Sequence, residues 1–180
     1  MDRVEAEALK RATDVLIRTY DQRHRFTAKD VCTIHEVWLG AIYPWAGRYR
    51  RVNLGKGGFQ FASARYIPQL MEEFERGPLR QHTPCRSGSL DEAVTALGVV
   101  HTDFVLIHPF REGNGRVGRL LATLMALQAG FPLLDFSPIK GRNRERYVAA
   151  VRAGMAGDYH HMAAIFSGVI RKTLAGPAKK

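Results

Sequence analysis

His108–Arg119 reads HPFREGNGRVGR. Gly113-Asn114-Gly115 stands just before an apolar run long enough for a helix. Glycines let successive backbone N–H groups turn inward as an anion nest, and a helix N-terminus adds free N–H groups and partial positive charge. Arg116 and Arg119 are three apart and share one helix face, and guanidinium groups pair with phosphate oxygens in bidentate fashion. Glu112 is an anion in this cationic setting. That makes chemical sense if a divalent cation lies between it and a phosphate, because Mg2+ uses one or two carboxylates plus phosphate oxygens. His108 is the side chain of the run that titrates near neutrality, so it can take a proton from an attacking hydroxyl. Pro109 fixes the loop, and Phe110 is expected as a buried anchor. A lone GNG would read as an ordinary glycine-rich helix connection. Nest, paired cations, metal carboxylate and base together outline a phosphoryl- or nucleotidyl-transfer site.

Outward from this run, residues 91–107 are rich in Ala, Val and Leu and predict a nearly buried helix; 116–129 predict another, stopped at Gly130. Toward the N-terminus, Val4, Leu9, Ala12, Leu16 and Tyr20 recur at helical spacing, with Lys10, Arg11 and the other charges on a solvated face. Thr27 and Asp30 resemble a capping box ahead of a helix through Val31, Ile34, Trp38 and Ala41, ended by Pro44 and Gly47. RYRRVNL at 48–54 reads as a strand. With FQFA at 59–62 it flanks the GKGG turn, which predicts a small hairpin. A further helix runs from Ala64 to the Gly77-Pro78 break, followed by a loop over 77–90. Helices over 142–153 and 159–173 precede a tail, AGPAKK, expected to be disordered. The expected fold is an all-α bundle with one short β-hairpin. It forms one domain over 1–174 with its core over about 30–170, and 175–180 form the tail.

The chain has 180 residues, enough for one domain with a real core. No stretch reaches the roughly 18 uncharged apolar residues of a membrane helix. The charged start MDRVEAEALKRATD lacks the apolar core of a signal peptide, so a cytoplasmic location is expected, delivery into a host cell remaining open. Cys32 reads as a small core residue and Cys85 as an exposed thiol in a polar loop, with no disulfide or CxxC spacing. The net charge of +10 admits a nucleotide, an acidic partner or nucleic acid. The basic residues are dispersed (Arg48, Arg50 and Arg51 in one place, Arg142, Arg144 and Arg146 in another) and no nucleic-acid motif accompanies them, so nucleic acid is not the expected partner. NLGKGG at 53–58 lacks the GK[ST] ending of a phosphate loop. His101 reads as a buried histidine, His160-His161 as surface or capping residues, and Trp38 and Trp45 as core.

HPFREGNGRVGR resembles the Fic signature HxFx[D/E]GNGRxxR at every defining position. IYPWAGRYRRVNLGKGGFQFA resembles the Fic segment leading into the target-docking flap, and RERYVAAVRAGMAGDY the Fic helix beside the nucleotide base. The resemblance implies a helical Fic fold and transfer of AMP from Mg-ATP to a Ser, Thr or Tyr hydroxyl of a target protein. By position, it implies that His108 is the base and that Glu112 holds Mg2+. Gly113, Asn114 and Gly115 would cradle the phosphates, with Asn114 and Arg116 also in catalytic roles, and Arg116 and Arg119 would contact the β and γ phosphates. Tyr147 and Met155, with Val148 and Gly154, are its candidates for the adenine pocket. The flap, Lys56, Gly57, Gly58, Phe59, Gln60 and Phe61, would hold the target segment by strand addition.

The resemblance also carries an expectation of regulation. Many Fic proteins share a self-inhibitory helix, [S/T]xxxE[G/N], whose Glu pairs with the second motif arginine. No Ser or Thr here has Glu four residues on; Ser87 with Asp91 comes nearest. Either a separate small antitoxin supplies that helix, which would make the chain the toxin of a bacterial toxin–antitoxin pair, or the enzyme is not restrained in this way. Other Fic transfers (UMP, phosphocholine, bare phosphate) and a non-catalytic binding module are the alternatives. The retained Gly115 disfavours the bare-phosphate branch, and intact His108 and Glu112 disfavour the module.

Overall fold

The central helix is apolar on nearly every side, and that decides its place. In the computed structural model, which describes residues 3–139 and 143–176, the elements in chain order are α1 (Arg3–Thr19), α2 (Ala28–Leu39), β1 (Gly55–Lys56), β2 (Phe59–Gln60), α3 (Ile67–Phe74), α4 (Arg80–His82), α5 (Leu90–Ile107), α6 (Asn114–Gln128), α7 (Asn143–Ala153) and α8 (His160–Leu174). On α5, Ala93, Leu97, Val100, Phe104 and Val105 are buried, as are His101 and Thr102. A helix apolar all round belongs in the interior, and α5 packs against α6 and α8. Gly98 permits the close approach to α8: a Cβ there would lie 3.0 Å from the Ala163 backbone nitrogen. Ser89 caps α5 by accepting from the Glu92 N–H. The architecture is the expected helical bundle with one two-stranded hairpin. Among the described residues no helix is long and apolar enough to cross a membrane.

Thr27 and Asp30 do form a capping box at the start of α2, which ends at Leu39 with Gly40 as its cap, short of the expected Ala41. Other expectations are corrected. Residues 48–54 are not a strand; only Gly55–Lys56 and Phe59–Gln60 pair, around Gly57-Gly58. The carbonyls that a longer ladder would use are claimed by Arg50, which is one of the dispersed basic residues and yet only 2% exposed. Its guanidinium donates to the carbonyls of Val52 and Ala62 at 2.6 Å and of His108 at 2.7 Å. The helix at 67–74 does not stop at Gly77-Pro78. It widens into a π-turn over Glu75–Leu79 and continues as α4, since the longer i→i+5 spacing absorbs the missing proline N–H.

Cys85 is buried, with its thiol pushed up to about 11 by that burial, because its backbone N–H donates to Gln128 of α6. Cys32 and Trp45 are half-buried against the core, whereas Trp38 is 1% exposed. On α1 the pattern is offset: Val4 faces solvent and Glu5 is buried with Ala8, Ala12 and Leu16. Lys10 and Arg11 are exposed, as expected. Arg142 and the tail from 177 on lie outside the described residues.

Candidate active site

The end of α5 and the start of α6 meet in a loop in which nearly every polar group has a fixed partner. His108 caps α5 in the left-handed region (φ 54°), the only non-glycine residue there among those described. A histidine held in that region marks local strain, which in proteins concentrates at functional positions. Its Nδ1–H donates to the Val105 carbonyl at 3.0 Å, which leaves Nε2 as the unprotonated nitrogen of the neutral ring. Phe61 stacks on the imidazole at 3.6 Å between centroids, 13° from parallel. Burial, with Arg50 and Lys56 adding to it, brings the His108 pKa down to about 4. At neutral pH the ring is therefore a proton acceptor.

The loop is stapled from inside. The Asn114 amide pairs with both main-chain groups of Phe110, accepting from its N–H and donating to its carbonyl, each at 2.8 Å. Its side chain is thus spent on the loop, and only its backbone can serve a ligand. Phe110, fully buried, stacks on His35 at 3.9 Å. His35 accepts from the Gly47 N–H through Nδ1 and donates from Nε2 to the Glu112 carbonyl, so its tautomer is fixed and burial holds its pKa near 4. Sequence reasoning missed His35, whose partners lie 12 and 77 residues away. Gly113 has φ +84°, and a Cβ there would meet the Trp38 ring at 2.6 Å, so glycine is required twice over. At Gly115 a Cβ would meet nothing, yet the residue lines the cavity. Its bareness keeps the helix N-terminus open to a ligand.

The two motif arginines part ways. Arg116 donates to Glu112 Oε1 at 2.9 Å and to Glu5 Oε2 at 2.8 Å, with its guanidinium over the Trp38 ring. Arg119 has no carboxylate partner among the described residues and lies over Phe136. Its burial depresses its pKa, yet arginine stays charged, so this is a partly desolvated cation facing a cavity. Such a group favours an anionic ligand.

Glu112 suits a divalent cation. Oε1 accepts from the Gly113 N–H and from Arg116, whereas Oε2 has no partner among the described residues. One oriented oxygen and one open oxygen beside a nest is the donor arrangement Mg2+ uses when phosphates complete its shell. No cluster of three or more His, Cys, Asp or Glu side chains that could hold a metal ion exists among the described residues.

These groups line one cavity of about 980 Å³, together with hairpin, α1 and α7 residues. The model of the Fic/DOC family matches residues 25–126. The chain belongs to the Fic/DOC family. It is similar to proteins named protein adenylyltransferase Fic from Drosophila ananassae and Drosophila persimilis, at 29% and 30% identity over 154 residues. That is 85% of this chain but 29% of each relative, so it spans under a third of their length. Among solved structures, the N-terminal FIC domain of Bep8 from Bartonella sp. 1-1C superposes with a TM-score of 0.79 at 19% identity, over 98% of this chain and 87% of that one. BepC from Bartonella tribocorum, with bound AMPPNP, gives 0.74 at 21%, over 92% and 83%. At these identities the likeness is one of fold.

The remaining candidates of this Fic chain fall unevenly. Tyr147 and Val148 line the cavity, with Leu133, Leu134, Phe136 and Ile139. The Tyr147 hydroxyl is 2.8 Å from His101 Nε2, which fixes the ring, and burial raises it to about 12. Met155 does not belong to the cavity; it is 67% exposed, because the chain tightens into a 3-10 turn over Gly154–Ala156 and turns it outward. Gly154 faces Thr102 of α5 instead, where a Cβ would clash at 2.2 Å. Of the hairpin, Lys56, Phe59 and Phe61 face the cavity, and Gly57, Gly58 and Gln60 do not line it. Arg144, exposed on α7, lines the cavity; its sequence context of dispersed charge gave no such signal.

Proposed function

We propose that this Fic chain is a protein adenylyltransferase, moving AMP from Mg-ATP to a hydroxyl side chain of another protein. The observation that carries the reading is the tautomer of His108. Nδ1–H is committed to Val105, so Nε2 is a base aimed at the cavity that holds Glu112, Arg119 and the α6 N-terminus. In the proposed step the target oxygen attacks the α-phosphorus and the P–O bond to the β-phosphate breaks. His108 Nε2 takes the hydroxyl proton, and pyrophosphate leaves. Arg119 and the first N–H groups of α6 receive the phosphate charge. Mg2+ on Glu112 Oε2 would neutralise charge developing on the leaving pyrophosphate. The apolar wall of Leu133, Phe136 and Tyr147 fits a nucleobase.

The target is held by backbone pairing along the hairpin, whose two-residue strands are exposed at Gly55, Lys56 and Gln60. A separate small protein restrains the enzyme in this reading, because no Ser or Thr within residues 1–180 has Glu four residues on; co-purification from the native host without such a protein would count against it.

Incubation with ATP labelled at the α-phosphate, Mg2+ and lysate tests the main reading. Label should pass to protein with the wild type, and fall by roughly 10²-fold or more with His108→Ala. No transfer from ATP, UTP, GTP or CTP by folded wild type would sink it.

A further inference from the structure

Glu5 has no part in the roles above, although it lies 111 residues from Arg116 in sequence and meets it in the fold. The residue is 6% exposed. Its Oε2 accepts from Arg116 at 2.8 Å and its Oε1 from the Tyr43 hydroxyl at 3.0 Å. The Glu5 backbone carbonyl accepts from the Trp38 indole at 3.0 Å, and the Arg116 guanidinium stacks on that same indole at 4.5 Å. Arg116 in turn holds the Glu5 carboxyl below the usual range. A reversible brake must be able to let go; a residue tied at both oxygens and at its backbone is a fixture.

The consequence reaches Glu112. A guanidinium can take a carboxylate in bidentate fashion through two of its nitrogens, engaging both oxygens. Here Nη1 is held by Glu5, the guanidinium is turned toward it, and Arg116 gives Glu112 a single bond, from Nη2 to Oε1. The Gly113 N–H binds that same oxygen at 2.8 Å. Oε2 is left without a partner among the described residues. We propose that Glu5 is a positioning residue for the metal carboxylate: by restraining Arg116 it keeps Glu112 Oε2 available to a divalent cation that arrives with the nucleotide. Arg116 then serves the carboxylates, and Arg119 serves the phosphates.

This inference rests on the nucleotidyl-transfer reading, and its test separates the two. Mn2+ is the probe, its binding to the protein with ADP followed by electron paramagnetic resonance; ADP binding without metal is measured separately by calorimetry. Glu5→Gln keeps the shape and removes the charge. It is expected to weaken Mn2+ binding roughly tenfold, in the range found when a ligand's supporting partner is lost, while metal-free ADP affinity is retained. In an Arg116→Gln background the same change should have no further effect, because no guanidinium remains to capture Glu112.

Unchanged Mn2+ affinity in folded Glu5→Gln would overturn the proposal and leave Glu5 as a tether for α1. A loss that persists in the Arg116→Gln background would overturn it in favour of a simple charge effect. Should Glu5→Gln fail to fold, Tyr43→Phe removes one brace of Glu5 and is expected to give a smaller loss in the same direction, with no change counting against the proposal. Wild-type protein that binds neither ADP nor Mn2+ would remove the transferase reading and the proposal together, an outcome distinct from failure of the Glu5 variants alone.

Discussion

The two walls of the cavity are built on opposite principles. On one side, the loop between α5 and α6 is bonded inwardly at almost every polar group: Asn114 to Phe110, His35 to Glu112, His108 to Val105, Arg116 to two carboxylates. On the other side, the hairpin has two residues per strand and two left-handed glycines, Gly57 and Gly58, around which a Cβ would meet nothing. Fixed geometry lowers a chemical barrier only when it exists before substrate arrives. Recognition of an extended segment through its backbone needs an edge that can adapt. On the proposed function, one wall would hold the chemistry and the other would receive whatever brings the hydroxyl.

Substitutions test whether stability is divided as this contrast requires. Gly113→Ala should have the largest effect. It forces a side chain into the left-handed region and into Trp38, and a loss of about 3 kcal/mol is expected from strain plus overpacking, read from the urea midpoint. A loss under about 0.5 kcal/mol would mean the loop yields more than its bonding implies. Asn114→Ala leaves the buried Phe110 main chain unpaired on both sides and should cost about 2 kcal/mol. Wild-type stability at the same sites would show that water replaces the amide, breaking the contrast.

Acidity gives a smaller, graded effect. Burial holds His35, His101 and His108 each at a pKa of about 4, and all three sit behind or within the rigid wall. Unfolded histidines protonate near 6.5, so between pH 6.5 and 4 the unfolded chain binds more protons than the folded one. Stability should fall as pH falls through that window, by up to about 1.4 kcal/mol per pH unit for each histidine. A flat profile from pH 6.5 to 5 would contradict their burial. Transfer activity, if limited by His108 as base, should persist below pH 6 instead of halving near 6.5.

At the hairpin the expectation reverses. Gly57→Ala strains a φ of +56° but should change global stability by less than about 0.5 kcal/mol, because so small an element opens locally. Faster amide exchange confined to 55–60 would sharpen the contrast. A drop in the global midpoint matching that of Gly113→Ala would abolish it.

The rigid wall was largely legible because its groups are contiguous. One run supplies base, carboxylate, nest and cations, and helix periodicity places α5 and α6. What was not legible came from long-range partners. Glu5 counts as a polar residue in any local pattern, and only its pairing with Arg116 in the fold buries it. Arg50 stood only as one of several dispersed basic residues, because nothing near it in sequence reveals four carbonyls converging from 52, 62, 107 and 108. The strand expected over 48–54 failed for the same reason, and Cys85 was judged exposed because Gln128 lies 43 residues away. Met155 was placed by resemblance alone, and a local tight turn sends it elsewhere.

Arg50 has a consequence of another kind. Its guanidinium grips the chain at Val52 and at Ala62, the two points where the hairpin leaves the body, and ties both to the carbonyl of His108. The intervening residues are thus a cassette with fixed sockets. Their composition and length can drift over generations, or be exchanged by an engineer, while the base keeps its position. If the proposed transfer holds, a lineage carrying such a joint can acquire new targets without having to reinvent its catalyst.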